Sequence, residues 1–162
     1  TSIACAKLLE SGQVDFCVTN YPNSGLSNTQ NVRIIREFHD VFVANEEYQR
    51  LKNRKIHLSE LQDCPILMLD RKSTTSEFLH SLFQRYQLDL VPEIELSSND
   101  LLIDLARIGL GIAFVPDYCV PGNIPNLFIL DLSEPVPARQ LVVACNENMP
   151  LSQAAKQFMD ML

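Results

Sequence analysis

The 162-residue chain is short of long hydrophobic runs, of basic residues and of closely spaced cysteines, and each shortage excludes something. Near the middle, the apolar uncharged stretch from Ile108 to Pro116 is nine residues, held between Arg107 and Asp117. A membrane-spanning helix needs about 20 apolar residues, so no span is expected. Five Gly and nine Pro exclude a collagen-like or linker-dominated chain. Lys+Arg number 13 against 20 Asp+Glu, a net charge of −7. The densest basic cluster, Arg50, Lys52, Arg54 and Lys55, is short. Contact with a phosphate backbone needs several cations on one face, so this chain by itself is read as a poor nucleic-acid binder. The five cysteines lie 12, 47, 55 and 26 residues apart, with no C-x-x-C pair. Zinc sites use closely spaced ligand pairs, so small thiols in a reducing compartment are the reading. No basic n-region or apolar h-region opens the chain, and the first residues already read as helix. A piece of a longer polypeptide is expected.

What is present is enough apolar residue for a core, 46% of the chain, and a length of one domain or two small lobes. Ile3, Ala4, Leu8 and Leu9 follow helical spacing over Ser2 to Glu10, with Gly12 placed to end the helix. Val14 to Thr19 reads as a strand, Asn20 to Asn31 as a loop, and Val32 to Ala44 as one long strand or two short ones. Glu46 to Lys55 and the segment around Ser59 read as short helices. Pro65 to Leu69 is a strand. Phe78, Leu79, Leu82, Phe83 and Tyr86 then mark one helix face behind the cap candidates Ser73, Thr74 and Thr75. Pro92 to Leu96 is a strand, Ser97-Ser98-Asn99 caps a helix ended by Gly109, and Ile112 to Val115 is a strand. Strands at Leu127 to Leu130 and Gln140 to Cys145 precede a last helix, Ser152 to Leu162. Alternating strand and helix predicts an α/β fold with mainly parallel sheets. Pro65 to Val115 forms a unit of its own, which points to two lobes.

The motifs are sparse. Gly109-Leu-Gly111 is no dinucleotide fingerprint, because it closes a helix and opens a strand where the fingerprint does the reverse. His39, His57 and His80 lie far apart, without metal-ligand spacing. There is no G-x-S-x-G elbow and no phosphate-binding P-loop. A cysteine–histidine pair assembled in space stays open. Two polar segments remain, Asp70 to Thr75 and Ser97 to Asn99, each between a strand's carboxyl end and a helix start. Ligands of open α/β sheets bind at such places, and free backbone N–H groups there suit an anion.

The order of these segments resembles one family. Leu9-Glu-Ser-Gly-Gln-Val-Asp15, the run Phe38 to Ala44 followed by Leu58-Ser-Glu-Leu61, then Pro92-Glu-Ile-Glu-Leu96 and Leu105-Ala-Arg-Ile-Gly109-Leu-Gly111-Ile-Ala-Phe-Val-Pro116, and the ending Leu151 to Phe158 together resemble the effector-binding domain of LysR-type transcriptional regulators. The resemblance implies a two-lobed α/β fold like the type 2 periplasmic binding proteins, with lobe I (1–44 and 121–162) incomplete at its N-terminus and lobe II at 45–120. It implies a cytoplasmic bacterial regulator that senses a small metabolite, anions included, between its lobes. DNA would be bound only through an upstream winged helix-turn-helix, and no cofactor or catalytic residue is expected. Carried over position by position, ligand contacts fall on Thr19, Asn20, Ser73, Thr74, Ser98 and Asn99. Phe42 to Asn45 and Phe114 to Tyr118 would line the hinge. A homodimer or larger assembly is expected, through Ser2 to Glu10, through Thr74 to Tyr86, or through a sheet edge beside Val14 to Thr19. A solute-binding transport protein and an enzyme on the same fold are the alternatives.

Overall fold

The computed structural model describes residues 1–27, 30–122 and 125–161. Its elements run α1 (Ser2–Glu10), β1 (Phe16–Tyr21), β2 (Gln30–Phe38), β3 (Asp40–Asn45), β4 (Lys55–Ile56), β5 (Ile66–Leu69) and α2 (Thr74–Arg85). They continue with β6 (Pro92–Leu96), α3 (Asn99–Arg107), β7 (Ile112–Pro116), β8 (Leu127–Ile129), β9 (Asp131–Leu132), β10 (Arg139–Asn146) and α4 (Gln153–Asp160). The chain divides into two compact units, Thr1–Phe38 with Arg139–Leu162, and His39–Ala138.

In the first unit the strands are ordered β1-β10-β2, with both pairings antiparallel. Thr1 caps α1 by accepting a hydrogen bond from the Ala4 N–H. Leu9 packs with Cys17 and Ala144, and Cys5, Leu26 and Val32 close around them. Ser152 begins α4 by accepting from the Ala155 N–H, and its hydroxyl donates to Asp15 at 2.6 Å. Phe158 of that helix stacks on Phe16, ring centroids 5.1 Å apart. Leu162, expected to end this helix, lies outside the described residues.

In the second unit five strands are ordered β6-β5-β7-β3-β8. β5 runs parallel to β6 and β7, whereas β3 is antiparallel to β7 and β8. The expectation of mainly parallel sheets is therefore corrected. Within this five-stranded sheet parallel pairing occurs where a helix makes the crossover, α2 from β5 to β6 and α3 from β6 to β7, while β3 pairs antiparallel on both sides; β4 and β9 form a separate short parallel pair. α2 buries Leu79, Leu82 and Phe83 against Phe42, Met68 and Phe114. α3 buries Leu102, Ile103 and Ala106 against Val43, Leu67 and Val115. Neighbouring residues of a strand point to opposite faces, so the two helices cover opposite sides of the sheet. Gly109 ends α3 at φ +87°, a left-handed conformation that suits glycine. Gly111 permits a close approach of chains, because a Cβ there would lie 2.5 Å from the Pro65 carbonyl oxygen.

Other differences from the sequence reading are local. The unit boundaries fall at 38/39 and 138/139, not at 44/45 and 120/121. Register explains this: β3 pairs with β7 and β8, which fixes it in the second unit. Phe42 to Asn45 and Phe114 to Tyr118 consequently lie within that unit and not at a crossing. The expected loop from Asn20 is shorter at both ends, since Tyr21 still pairs with Gln140 and Gln30 already pairs with Asn146; residues 28 and 29 lie outside the described residues. The helix expected over Glu46 to Lys55 is a 3₁₀ turn over Glu46–Leu51 followed by β4.

Candidate functional site

The carboxyl ends of β5 and β6 form one edge of the second unit's sheet. Leu69 pairs with Leu96, and the next N–H, that of Asp70, donates to the Leu96 carbonyl at 2.8 Å. The turn after β5 is built locally. Asp70 accepts from the Lys72 N–H at 2.9 Å through its side chain, and its carbonyl accepts from the Ser73 N–H at 3.0 Å. Ser73 caps α2 by accepting from the Thr75 N–H at 3.2 Å. Four hydroxyl residues in succession, Ser73 to Ser76, are buried in the first turn of this helix. The hydroxyl oxygens of Thr74 and Ser76 have no hydrogen-bond partner. A buried polar atom left unpaired costs about 1–3 kcal/mol. This helix end therefore has donors, a favourable dipole for negative charge and unused hydroxyls in one place.

The turn after β6 is less enclosed. Ser98 is exposed and caps α3 by accepting from the Leu101 N–H at 3.3 Å. The Asn99 side-chain oxygen is buried and unpartnered. Its side chain also hydrogen-bonds Cys119, whose thiol titrates above its ordinary range because of burial first and the carboxylates of Asp100, Asp40 and Asp117 next. Asn99 only partly offsets those effects.

The six residues expected at a ligand site are thus partly brought together. Ser73, Thr74, Ser98 and Asn99 share one sheet edge, tied by the Asp70–Leu96 hydrogen bond. They do not share a face, since α2 and α3 diverge to opposite sides of the sheet. Thr19 and Asn20 belong to the first unit and sit inside β1, not at its end. The Thr19 hydroxyl accepts from the Asn23 side chain at 2.8 Å, and that amide also donates to the Ser2 carbonyl at 3.0 Å. Its visible work is to tie strand, loop and helix together. Sequence reasoning missed Ser76 and Asn23. The signal for Ser76 was its position three residues after a serine cap, where a polar side chain faces the helix start.

Charge at the edge is modest. Arg71 and Lys72 are exposed, and Arg71 reaches Glu95 only at 3.8 Å. Among the described residues of the second unit no lysine or arginine is buried. A groove of about 260 Å³ in this unit is lined by Val41, Phe42, Leu130, Leu132 and Val136. Of the two carboxylate residues lining it, Asp40 and Glu134, the latter is engaged by His57 at 3.2 Å and by the Leu58 N–H at 3.0 Å. Among the described residues no group of three or more His, Cys, Asp or Glu side chains is placed to hold a metal. Burial pushes the thiols of Cys17, Cys64 and Cys119 up, Cys17 to about 11, the opposite of an activated nucleophile.

Known proteins match this chain throughout. A family model described as the LysR substrate binding domain matches residues 1–162. The HTH-type transcriptional activator CmpR of Synechocystis sp. (strain ATCC 27184 / PCC 6803 / Kazusa) is 27% identical over 134 residues, which are 82% of this chain and 44% of that protein. The chain thus spans less than half the length of that curated relative. The regulatory domain of CcmR from Synechocystis PCC6803, solved in complex with 2-PG, superposes with TM-score 0.88 at 21% identity, over 99% of this chain and 77% of that one. The effector binding domain of QuiR, solved in complex with shikimate, gives 0.83 at 19% identity, over 99% and 75%. At such identities the two superpositions speak to the fold.

Proposed function

The chain belongs to the LysR substrate-binding domain family, and from that premise we propose that the first turn of α2 holds a small organic anion as its effector. Domains of this family are regulatory effector-binding domains with the type 2 periplasmic-binding-protein-like fold. The observation that carries the proposal is the pair of buried, unpartnered hydroxyls, Thr74 and Ser76, at a helix start. An anion there accepts from backbone N–H groups and hydroxyls and gains from the helix dipole. With no buried cation among the described residues of the second unit, a single carboxylate suits the site better than a polyphosphate. Ser98 and Asn99 are proposed as further contacts at the same edge, and Thr19 and Asn20, within the first unit, are proposed as ligand-contacting residues of that unit.

The remaining steps concern the whole regulator and are likewise proposals. DNA is bound by a segment outside this chain, in the cytoplasm, by a homodimer. The domain signals and does no catalysis. A bound effector alters DNA binding only as far as its affinity differs between two states of the protein. The test is calorimetric titration with a panel of small mono- and polycarboxylates. Saturable binding of a monocarboxylate, weakened about 2- to 12-fold by Ser73→Ala or by Thr74→Val, is the expected result for one neutral hydrogen bond. Binding unaffected by both substitutions removes α2 from the site.

A further inference from the structure

Cys5 and Cys17 take no part in the proposed effector site, and the packing of α1 on β1 brings their positions together. The Ser2 carbonyl lies 3.5 Å from the Thr19 hydroxyl and 3.0 Å from the Asn23 amide, which fixes the start of α1 beside Thr19. From there the two elements run in opposite directions. Three helical residues advance about 4.5 Å, from Ser2 to Cys5. Two strand residues cover about 6.6 Å, from Thr19 to Cys17, and return to the same face. The two cysteines therefore stand at nearly one level, on the surfaces that α1 and β1 turn toward each other. Both pack into the same apolar cluster with Leu9 and Ala144. Cys17 is 7% exposed, whereas Cys5 is half-buried and reachable. Cys145 is one position away from this face of the sheet, and its thiol donates to the Asn31 carbonyl at 3.9 Å. Cys64 and Cys119 belong to the other unit.

We infer that Cys5 and Cys17 are a modification site for hydroperoxides, closing to an intramolecular disulfide that ties α1 to β1. Cys5, the accessible member, reacts first. With hydrogen peroxide, its thiolate attacks one peroxide oxygen, an S–O bond forms, the O–O bond breaks, and the departing hydroxide takes the proton that the Cys5 thiol released and leaves as water, giving a sulfenic acid. The Cys17 sulfur then attacks that sulfur; the S–S bond forms, the S–O bond breaks, and the departing hydroxide takes the Cys17 proton as a second water. Two thiols are oxidised and one peroxide is reduced to two waters. Burial, and secondarily the nearby Cys5 thiolate, push the Cys17 thiol up to about 11, so the second step is the slower one and speeds up with rising pH.

Peptide mapping tests this on the full 162-residue chain under native conditions. Lys7 separates the two cysteines, so trypsin after hydrogen peroxide and an alkylating quench must yield Thr1–Lys7 linked to residues 8–33, two hydrogens lighter than the sum. Cys64, Cys119 and Cys145 are expected in the alkylated form. Amide exchange across α1 is expected to slow at least about tenfold in the bridged form. Cys145→Ala must leave the linked pair intact. Cys5→Ser, a nearly isosteric change at a half-buried position, must abolish it. Recovery of Cys5 as a sulfinic acid beside alkylated Cys17, a link from Cys5 to Cys145 or to a second chain, or unchanged exchange across α1 overturns the inference.

Discussion

Replacing Thr74 by valine separates a ligand-binding hydroxyl from a structural one, because the two roles predict opposite signs. Thr74 is 3% exposed and its hydroxyl oxygen has no hydrogen-bond partner. In the unliganded protein that oxygen is desolvated without compensation, a penalty of about 1–3 kcal/mol. Valine has nearly the same shape and a similar helix propensity, so it removes the penalty without opening a cavity. The unliganded variant is therefore expected to be more stable. For a chain of this size 1 kcal/mol moves Tm by roughly 2–4 °C, so the increase is about 2–12 °C. The same substitution deletes a hydrogen bond to the effector, and affinity is expected to fall by about 0.5–1.5 kcal/mol, or roughly 2- to 12-fold. Differential scanning calorimetry without ligand and titration with it read the two effects on one sample. A lower Tm without ligand refutes the reasoning, since the hydroxyl must then already be satisfied. A higher Tm with unchanged affinity keeps the buried penalty but takes Thr74 out of the site.

Gly111→Ala places a methyl 2.5 Å from the Pro65 carbonyl, which accepts from the Ile112 N–H at 2.9 Å, and 2.8 Å from Leu67. Such overpacking against backbone is expected to destabilise by about 1–3 kcal/mol or more, read as a lower urea midpoint at unchanged m-value; an unchanged midpoint sinks the close-approach account. Glu60 is held down at about 2 by the Arg54 guanidinium and then by the His57 N–H. A lowered carboxyl pKa stabilises the fold above the ordinary value of 4.5 and loses that contribution as pH falls from 4.5 through about 2. Urea midpoints between pH 6 and pH 2.5 should therefore fall less steeply for Glu60→Gln than for the parent, and parallel curves would count against the pairing. The chain alone, at net −7, should show no appreciable DNA binding in a low-salt fluorescence titration; sub-micromolar, salt-sensitive binding refutes that.

Much of the fold was legible because local signals and global pairing agree. Ser2–Glu10 and Pro92–Leu96 have the same bounds in sequence and structure, as a capped amphipathic helix and a short strand between turn formers should. Ser73, Ser98 and Ser152, picked as cap candidates or helix starts, do cap their helices. Strand direction was not legible. Hydrophobic pattern says that Phe42 and Val43 belong in a sheet, but only pairing with Phe114 and Ala113 says that β3 runs against β7. The same non-local register moved the unit boundary to Phe38. At the candidate site, the sequence located both polar turns. It did not show that the helices they open leave for opposite faces, because with crossovers uniformly right-handed the face of each helix is set by strand order, which places β6 and β7 on either side of β5. Nor did it show which hydroxyls lack partners. Ser73 and Thr74 are equally plausible by type, yet one is spent on the Thr75 N–H and the other is free of any partner.

Charge and exposure together redirect the expectation about self-association. The second unit, His39–Ala138, carries eight Lys+Arg against 15 Asp+Glu, and the remainder of the chain carries five against five. All of the net −7 therefore lies in the second unit. α2 was expected to face a partner, but its apolar side is spent on the core and its outer positions Glu77, Ser81, Gln84 and Arg85 are polar and exposed. α3 is different. Leu101, Leu105 and Ile108, at i, i+4 and i+7, form a second apolar stripe beside the buried one, with Leu101 46% and Ile108 67% exposed. Two acidic second units brought face to face repel, whereas the neutral first unit exposes Leu8, Val18, Tyr21 and Ile34. On charge, the favoured contact of the α3 stripe is therefore the first unit of another copy, used reciprocally in a C2 pair. Light scattering at micromolar concentration is expected to give a dimer. Ile108→Glu and Ile34→Glu, both at exposed positions, should each return it to monomer without lowering Tm. A dimer that survives both substitutions, or a parent that is strictly monomeric, removes α3 from the interface.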